Sequence, residues 1–294
     1  MAYNSNDFDA TVEPMGQKYA QPDDLGRTLK LILTSSTFTH ATQSLAETES
    51  EWQDGIDEEN IFVLPYIYEN EDMSVEAVMQ EFAGGDSLKV SEGTYAEKCK
   101  LHISVADMIK LQSYKNKTWR MFIVDDRGNI LGTTPDGAIF KGFELTTFDV
   151  DKMNLTAGDV KRMVPIYYKM RNITEWSENA AVIKPRKLSA DDWDPRDLDG
   201  LTDVEITVVS AIATKVVVRA TAYLKGVAIV GFTAVTDWIL ATGQTITGVT
   251  DNGDGTYDLA GTGLVTGTIT LGEPEDLTLD GYKSIGTAVV TIAP

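Results

Sequence analysis

The amino-acid sequence predicts an α+β domain over residues 1–187, a linker at 188–200 and an all-β sandwich over residues 201–294. Two observations lead to this fold class. Helical and strand-like patterns of apolar residues alternate in the first part of the chain, whereas the last part contains only short β-branched runs between turns. The segment between them, Lys184 to Gly200, is rich in Pro, Asp and basic residues and lacks a regular apolar pattern.

Two helices are expected in the first domain. The apolar residues of 75–82 recur at helical spacing in DMSVEAVMQEFAGG, and Gly84 can end that helix. In SVADMIKLQSY, Ser104 and Asp107 stand at the spacing of a capping box before an apolar run. This capping pattern predicts the start of the second helix.

The remaining apolar runs of this domain indicate strands of a largely antiparallel sheet. Leucines alternate over residues 29–33, and Pro65 in the run IFVLPYIY is typical of an edge strand. Residues 164–170 place their apolar side chains on one face. Two further strands are expected in TWRMFIV and AIFKGFELTTFDV, with a turn at DDRGN after the first of them.

Short strands are expected throughout residues 201–294, which contain eighteen Thr and twelve Gly. Val204, Ile206 and Val208 share one face of the first run, and successive runs are spaced by about ten residues. Seven or eight such strands without a helical period predict a β-sandwich. The runs are DVEITVVS, TKVVVRATAY, GVAIVGF, QTITGVT, TYDLA, LVTGTITL and GTAVVTI.

The stretch DNGDG, which begins at Asp251, has two interpretations. A twelve-residue calcium loop needs oxygen ligands at alternate positions and a Glu at its end, but the twelfth position here is Thr262. Only Asp251, Asp254 and Asp258 could offer carboxylates. Asn-Gly and Asp-Gly pairs instead favour the positive φ of a two-residue hairpin turn. The sequence therefore predicts a β-hairpin here rather than a metal site.

The sequence offers no recognisable catalytic, cofactor-binding or metal-binding set. His40 and His102 are its only histidines, and neither stands near an obvious partner. The single cysteine, Cys99, excludes an internal disulfide and agrees with folding in a reducing cytoplasm. No nucleophile elbow or phosphate loop occurs, and GTGLVTG departs from the dinucleotide fingerprint at its third glycine. We therefore expect no enzyme, no cofactor and no metal.

Charge is distributed unevenly along the chain. The formal net charge of −20 argues against nucleic acid as a bound partner, because such binding depends on basic residues that neutralise phosphates. Between Lys30 and Lys89 the sequence contains thirteen acidic residues and no basic ones. One interpretation is a solvated acidic loop beside an edge strand. The other is an anionic surface that meets a basic surface on a second copy, head to tail.

The candidate contact residues follow from this segregation of charge. On the acidic side they are Glu47, Glu49, Glu51, Asp54, Asp57, Glu58 and Glu59. On the basic side they are Lys110, Lys115, Lys117 and Arg120, and a second basic group lies at residues 184–187. Opposite charges on two parts of one chain predict self-association that repeats from copy to copy.

Two stretches of the chain resemble a known family. Residues 128–153, GNILGTTPDGAIFKGFELTTFDVDKM, have the long glycine-punctuated strands of bacteriophage tail tube proteins. Residues 226–263, which begin GVAIVGFTAVTDWIL, resemble an immunoglobulin-like domain of phage or bacterial surface proteins. Together they resemble a tail tube (major tail) protein that carries a C-terminal immunoglobulin-like domain.

The resemblance implies rings, commonly hexameric, that stack into a hollow tube. The sheets of the first domain would close into a barrel whose acidic lumen lets DNA pass without binding it, and Glu144 and Asp149 are candidates to face that lumen. A loop at residues 35–60 and the N-terminal arm would contact the next ring, while the second domain would decorate the outside.

The partners implied are further copies of the chain and other virion proteins, in a virion that is made in the host cytoplasm. No membrane contact is expected, because no apolar run reaches the length that spans a bilayer. The N-terminus also lacks the basic and apolar regions of a secretory signal.

Three other functions remain open from the sequence alone. A capsid or head-decoration protein would also be acidic and could carry an immunoglobulin-like domain. A surface adhesin-like module would use the sandwich as a binder, and an exposed Trp238 would favour it. An enzyme of unrecognised type is the third. Tubes, shells and monomers in electron micrographs would separate the assembly hypotheses from the adhesin.

Overall fold

The computed structural model describes residues 25–82, 87–153, 161–185, 193–241 and 244–292. These residues lie mostly in β-strands, and four helices occur among them. They form two compact units. The first unit contains the described residues up to Gly55 and those from Asn60 to Leu198, and the second contains Ile56–Glu59 and the described residues from Asp199 onward.

Strands and short helices alternate in the described part of the chain up to Leu198. In chain order they are β1 (Thr28–Ser35), α1 (Gln43–Ala46), α2 (Glu49–Asp57), β2 (Ile61–Val63), β3 (Ile67–Asp72), β4 (Val78–Glu81), β5 (Ser87–Ser91), β6 (Ala96–Leu101), α3 (Val105–Gln112), β7 (Trp119–Asp125), β8 (Ile130–Thr133), β9 (Phe143–Val150), β10 (Val164–Met170), α4 (Thr174–Ser177) and β11 (Ala180–Ile183). The predicted α+β class is therefore correct for this unit.

Nine of these strands form one antiparallel sheet. Seven of them follow the order β11-β8-β7-β9-β10-β6-β3. The other two lie off this path: β1 pairs with β7, and β2 pairs with β1. Strand β9 pairs with β7 through its first two residues and with β10 along the rest of its length. Strand β9 therefore joins the strands on the β7 side of the sheet to those on the β10 side, and the sheet bends around one core as a half-barrel. Its path ends at β11 on one side and at β3 on the other.

The core of the first unit lies inside this bend. The alternating apolar residues of 164–170 are all buried there, which confirms β10 as predicted. Leu111 of α3 packs into the same core. The other side of β7 is also buried, since Trp52 of α2 lies against Phe122 with 5.0 Å between ring centroids. Strand β7 is therefore buried on both faces.

Helix α3 begins where the capping pattern predicts. The Ser104 hydroxyl accepts a hydrogen bond from the backbone N–H of Asp107 (3.1 Å) and donates one to the Asp107 carboxylate (2.7 Å). A side-chain acceptor at this position satisfies a backbone N–H that the first helical turn leaves without a partner. This prediction is confirmed.

The helix predicted over residues 75–82 is wrong. Val78–Glu81 form strand β4, which pairs with β5, and Val75 makes an isolated bridge with Thr94. A short apolar run fits both helical and strand spacing, and here the pairing partner decides between them. Gly84, the expected end of the helix, lies outside the described residues.

The loop predicted over residues 35–60 is partly wrong, because α1 and α2 occupy half of it. The Thr42 hydroxyl caps α1 by accepting a hydrogen bond from the N–H of Leu45 at 3.1 Å. Trp52 of α2 is fully buried, and its ring N–H donates to the carbonyl of Ala46 at 2.8 Å. One aromatic anchor therefore holds an otherwise acidic helix against the sheet.

The described end of the predicted linker packs on the first unit. Trp193 and Leu198 are buried, and the Trp193 ring N–H donates to the carbonyl of Glu47 at 2.7 Å. The Lys30 ammonium donates to the carbonyl of Leu198 at 2.6 Å. Residues 193–198 therefore belong to the first unit rather than to a free linker, whereas residues 188–192 lie outside the described residues.

The second unit is all-β in its described part. Its strands are β12 (Thr202–Ile212), β13 (Lys215–Ala222), β14 (Trp238–Leu240), β15 (Ile246–Asp251), β16 (Thr256–Gly261), β17 (Gly267–Leu271), β18 (Tyr282–Ser284) and β19 (Ala288–Val290). They form a five-stranded sheet in the order β15-β16-β13-β12-β18 and a three-stranded sheet in the order β14-β17-β19. Residues of both sheets enclose one core. The predicted strand GVAIVGF is wrong, since Ala228 makes only an isolated bridge with Thr221 there.

The stretch at Asp251 is a hairpin, as predicted. Strands β15 and β16 pair directly, and Gly253 and Gly255 adopt φ values of 77° and 82° in the turn between them. One Asp251 oxygen accepts a hydrogen bond from the N–H of Gly253 (2.8 Å) and the other from the N–H of Gly231 (2.7 Å). Both oxygens of this carboxylate therefore shape the backbone.

Candidate assembly surfaces

The acidic candidates are spread along α1, α2 and the turn that follows. The exposed members are Glu49, Asp54, Glu58 and Glu59, and the half-buried members are Glu47, Glu51 and Asp57. Partial burial raises the pKa of the Glu47 carboxyl. Glu49, Glu51 and Asp54 lie on the short polar helix α2, so these candidates stand on helical rather than loop backbone. Glu59 belongs to the second unit, where it pairs with Lys283 at 3.1 Å.

The basic candidates do not form one surface. Lys110 lies on α3, and Lys115 and Lys117 follow in the turn after it. The Lys115 ammonium donates to the carbonyl of Val150 and pairs with the Asp149 carboxylate, both at 2.7 Å. Lys117 is exposed, with its ammonium 5.8 Å from the centre of the Trp119 ring. Of the three lysines, Lys117 is therefore the one that projects most freely into solvent.

Arg120, the fourth basic candidate, is buried, which corrects its assignment to a contact surface. Its guanidinium donates to the carbonyl of Gly142 at 2.7 Å and pairs with Glu175 at 2.5 Å. Glu144 accepts from Arg171 at 3.1 Å and stands 3.9 Å from the same Arg120 guanidinium. Because a buried charge needs such compensation, Arg120 and Glu144 stabilise the fold where α4 meets β7 and β9.

The second lumen candidate, Asp149, lies on the solvent-facing side of β9. The hydrogen bond from Lys115 lowers the pKa of this carboxyl. Strand pairing places the following charged residues on the same side of β3, β6, β10 and β9: Glu69, Glu71, Lys98, Lys100, Lys169 and Asp149. Acids and lysines are equal in number on this surface, and Lys100 pairs with Glu69 at 2.6 Å. It is polar and charge-balanced rather than acidic.

The sequence did not reveal the most exposed apolar feature of the first unit, the β4–β5 hairpin. Every described residue from 68 to 82 and from 87 to 92 is exposed. The apolar side chains among them include Val78 (52% exposed), Phe82 (49%) and Leu88 (58%). The hairpin pairs only with itself among the described strands. The strict alternation of Ser-Leu-Lys-Val-Ser at 87–91 was the available signal for a strand.

Helix α3 exposes a second apolar surface. Val105 and Ile109 are 54% and 52% exposed, although Leu111 on the other side of the helix is buried. Residues four positions apart lie side by side on a helix, so these two side chains form a continuous stripe.

The buried titratable groups of the first unit form a structural network. The Glu97 carboxylate accepts hydrogen bonds from the hydroxyls of Tyr168 (2.6 Å) and Tyr95 (2.7 Å). Burial, together with this carboxylate, raises the pKa of both tyrosines and of the nearby Cys99 thiol. A thiol held in its protonated form is a poor nucleophile. The network therefore serves to satisfy a buried charge.

Comparison of the sequence with protein-family models and with curated proteins gives no match.

Within the described ranges, no three His, Cys, Asp or Glu side chains converge in a way that could hold a metal ion. In the same part of the chain, every helix is too short or too polar to cross a bilayer.

Proposed function

We propose that this chain is a structural virion protein that assembles into stacked rings, and that the rings form the hollow tail tube of a bacteriophage through which DNA passes. The first unit would build the tube wall, and the second would be an outward immunoglobulin-like domain. The protein would act with further copies of itself and with other virion proteins, without enzyme activity or a bound cofactor.

The observation that carries this proposal is the open half-barrel of the first unit. Strands β3 and β11 end the strand order, so each has one paired neighbour among the described strands. A free edge presents unpaired N–H and C=O groups, and these groups favour pairing with another chain. Joining β11 of one copy to β3 of the next would continue the sheet around a ring, and a closed ring leaves no edge.

The solvent-facing side of β3, β6, β10 and β9 is the part of the wall that would face DNA. Two of its three lysines stand beside acids: Lys100 pairs with Glu69, and Lys98 lies across from Glu71. A phosphate would therefore find its cationic partners already neutralised, and contacts of this kind dominate DNA affinity. A balanced lumen thus permits passage without binding, which replaces the purely acidic lumen expected from the sequence.

The second unit supports the immunoglobulin-like part of the proposal by its two-sheet core. Trp238 is buried, with its ring centroid 4.9 Å from that of Tyr257, and a central tryptophan is typical of such sandwiches. An adhesin-like use of Trp238 would require it to be exposed. The burial of this ring leaves the adhesin hypothesis without support from that residue.

Electron microscopy of the purified full-length chain over a range of concentrations tests the proposal. We expect tubes of uniform diameter or stacks of rings. Closed shells would instead favour the capsid hypothesis. A chain that remains monomeric at high concentration, by sedimentation and by microscopy, would contradict self-assembly altogether.

A further inference from the structure

We propose that the β4–β5 hairpin of one copy docks, by its apolar side, on the Val105–Ile109 stripe of α3 in a second copy. This inference rests on the proposed self-assembly and names the two surfaces that join successive copies along the tube.

The apolar side of the hairpin is the side that carries Val78 and Leu88, although Met79 is exposed on the other side. Gln80 and Leu88 are paired residues and therefore share a side, and alternation along β4 places Val78 with them. Phe82, which directly follows the end of β4, is also exposed (49%). Met79 and Lys89 pair on the opposite side. An isolated two-stranded hairpin is at best marginally stable in water, so this apolar side needs a cover.

Charge complementarity selects a second copy as that cover. The described residues 75–82 and 87–92, which include the hairpin, contain three acids, Glu76, Glu81 and Glu92, and one lysine, Lys89, which pairs with Glu92. Residues 105–117, which include α3, contain one acid, Asp107, and three lysines, of which Lys115 pairs with Asp149 while Lys110 and Lys117 leave an excess of positive charge. The hairpin therefore combines exposed apolar side chains with negative charge, and the α3 surface combines them with positive charge. Such a pairing favours association of unlike surfaces and disfavours hairpin-to-hairpin contact.

The topology places the hairpin and α3 of one chain at opposite ends of β6. The hairpin leaves the sheet beside Ala96, where the Met73 N–H donates to the Ala96 carbonyl at 2.9 Å. Helix α3 begins just after Leu101, at the opposite end of β6. Five residue steps of an extended strand separate these ends by about 17 Å. Each copy thus carries the hairpin at one end of β6 and the helix at the other, an arrangement that stacks copies head to tail without closing.

Disulfide trapping tests the contact directly. The single variants Leu88→Cys and Ile109→Cys are mixed in equal amounts and oxidised mildly, with native Cys99 left in place because it is buried. We expect a covalent dimer in the mixture but not in either variant alone, because the contact joins unlike surfaces. A chain carrying both substitutions should give a ladder of covalent multimers. A mixture that stays monomeric under conditions where the wild type assembles would overturn the inference.

Charge reversal provides an independent test. Glu76 is an exposed acid between the Val75–Thr94 bridge and β4, and Lys117 is exposed beyond α3. We expect Glu76→Lys and Lys117→Glu each to raise the concentration needed for assembly by about tenfold. A chain that carries both substitutions should assemble at a concentration closer to that of the wild type, because the two exchanged charges again attract each other. Glu275→Lys, an exposed change of the same sign in the second unit, is the matched control and should assemble as the wild type does.

The outcomes separate the two proposals. Wild-type chains that never assemble would defeat both. Wild-type tubes that persist in the charge variants and give no heterodimer on trapping would leave the tube proposal intact and remove the hairpin–helix contact. Assembly lost in Glu76→Lys but unchanged in Lys117→Glu and in Ile109→Glu would show that the hairpin binds a surface other than α3, which also overturns the inference.

Discussion

Arg120 shows how burial changes the role of a single residue. Its side chain is 9% exposed and that of its partner Glu175 is 12% exposed, so neither charge is well screened by water. Along the sequence Arg120 belongs to a run of lysines, yet it lies on β7 with its guanidinium in contact with β9 and α4. Arg120 is thus a buried structural residue, although the sequence places it in a run of basic residues.

We expect Arg120→Met to lower the free energy of unfolding by about 3–5 kcal/mol, because the substitution leaves Glu175 buried without a compensating charge. Urea unfolding followed by circular dichroism measures this loss. Lys117→Met removes an exposed lysine nearby and should change stability by no more than about 0.5 kcal/mol. Equal effects of the two substitutions would contradict the structural role of Arg120.

His40 is the second residue whose chemistry depends on burial. Four aromatic rings lie against it, those of Phe38, Trp52, Phe122 and Phe140, and none of them titrates. Burial lowers the pKa of this imidazole from 6.5 to about 4. The folded state therefore binds a proton less readily than the unfolded state does.

Stability should therefore fall as the pH drops from about 6.5 to about 4, and His40 alone should account for a loss of about 3 kcal/mol over this range. Thermal melts at several pH values would show a shallower slope for His40→Gln than for the wild type. His102→Gln, which removes the other, exposed histidine, should keep the wild-type slope. The same slope in all three proteins would refute this assignment.

At the scale of elements, helix starts and turns could be predicted where a residue acts on the backbone close to it in the chain. Ser104 starts α3, and the Asn-Gly and Asp-Gly pairs form the β15–β16 turn. Elements that depend on a distant partner were not predictable in this way. Strand β4 exists because β5 pairs with it, and α2 exists because Trp52 finds a place on the sheet.

The β15–β16 turn gives a prediction at this scale. Asp251→Ala removes the acceptor for the N–H groups of Gly253 and Gly231 and should cost about 1–3 kcal/mol of unfolding free energy. The exposed Asp280→Ala change should be neutral within about 0.5 kcal/mol. Addition of a chelator should leave the melting temperature unchanged. A melting temperature that falls with chelator would restore the calcium interpretation.

At the scale of the whole molecule, the boundary between the units lies later than the change in composition suggests. Composition changes within the Lys184 to Gly200 segment, whereas the first unit continues to Leu198 because Trp193 and Leu198 are buried in it. A tryptophan and a leucine in a polar segment were the available signal, since exposed linkers seldom need large apolar side chains.

Truncation tests this boundary. A chain that ends at Leu198 should keep the stability of the first unit, whereas one that ends at Lys187 loses Trp193 and should unfold about 3–5 kcal/mol more easily. The longer fragment should still assemble, since both proposed contact surfaces lie in the first unit. Residues 199–294 should melt cooperatively as a monomer. A fragment to Leu198 that folds but does not assemble would show that the second unit forms part of the wall.

The sequence by itself determined the strand periodicity of β10, the start of α3, the β15–β16 turn and the lack of any recognisable catalytic set, because each of these depends on residues a few positions apart. Only the tertiary structure decided that residues 78–81 form a strand, that Arg120 is buried beside Glu175, and that lysines and acids balance on the open side of the sheet. The physical reason is the same in each case. Pairing, burial and compensation of charge depend on residues distant along the chain, and only folding brings those residues together.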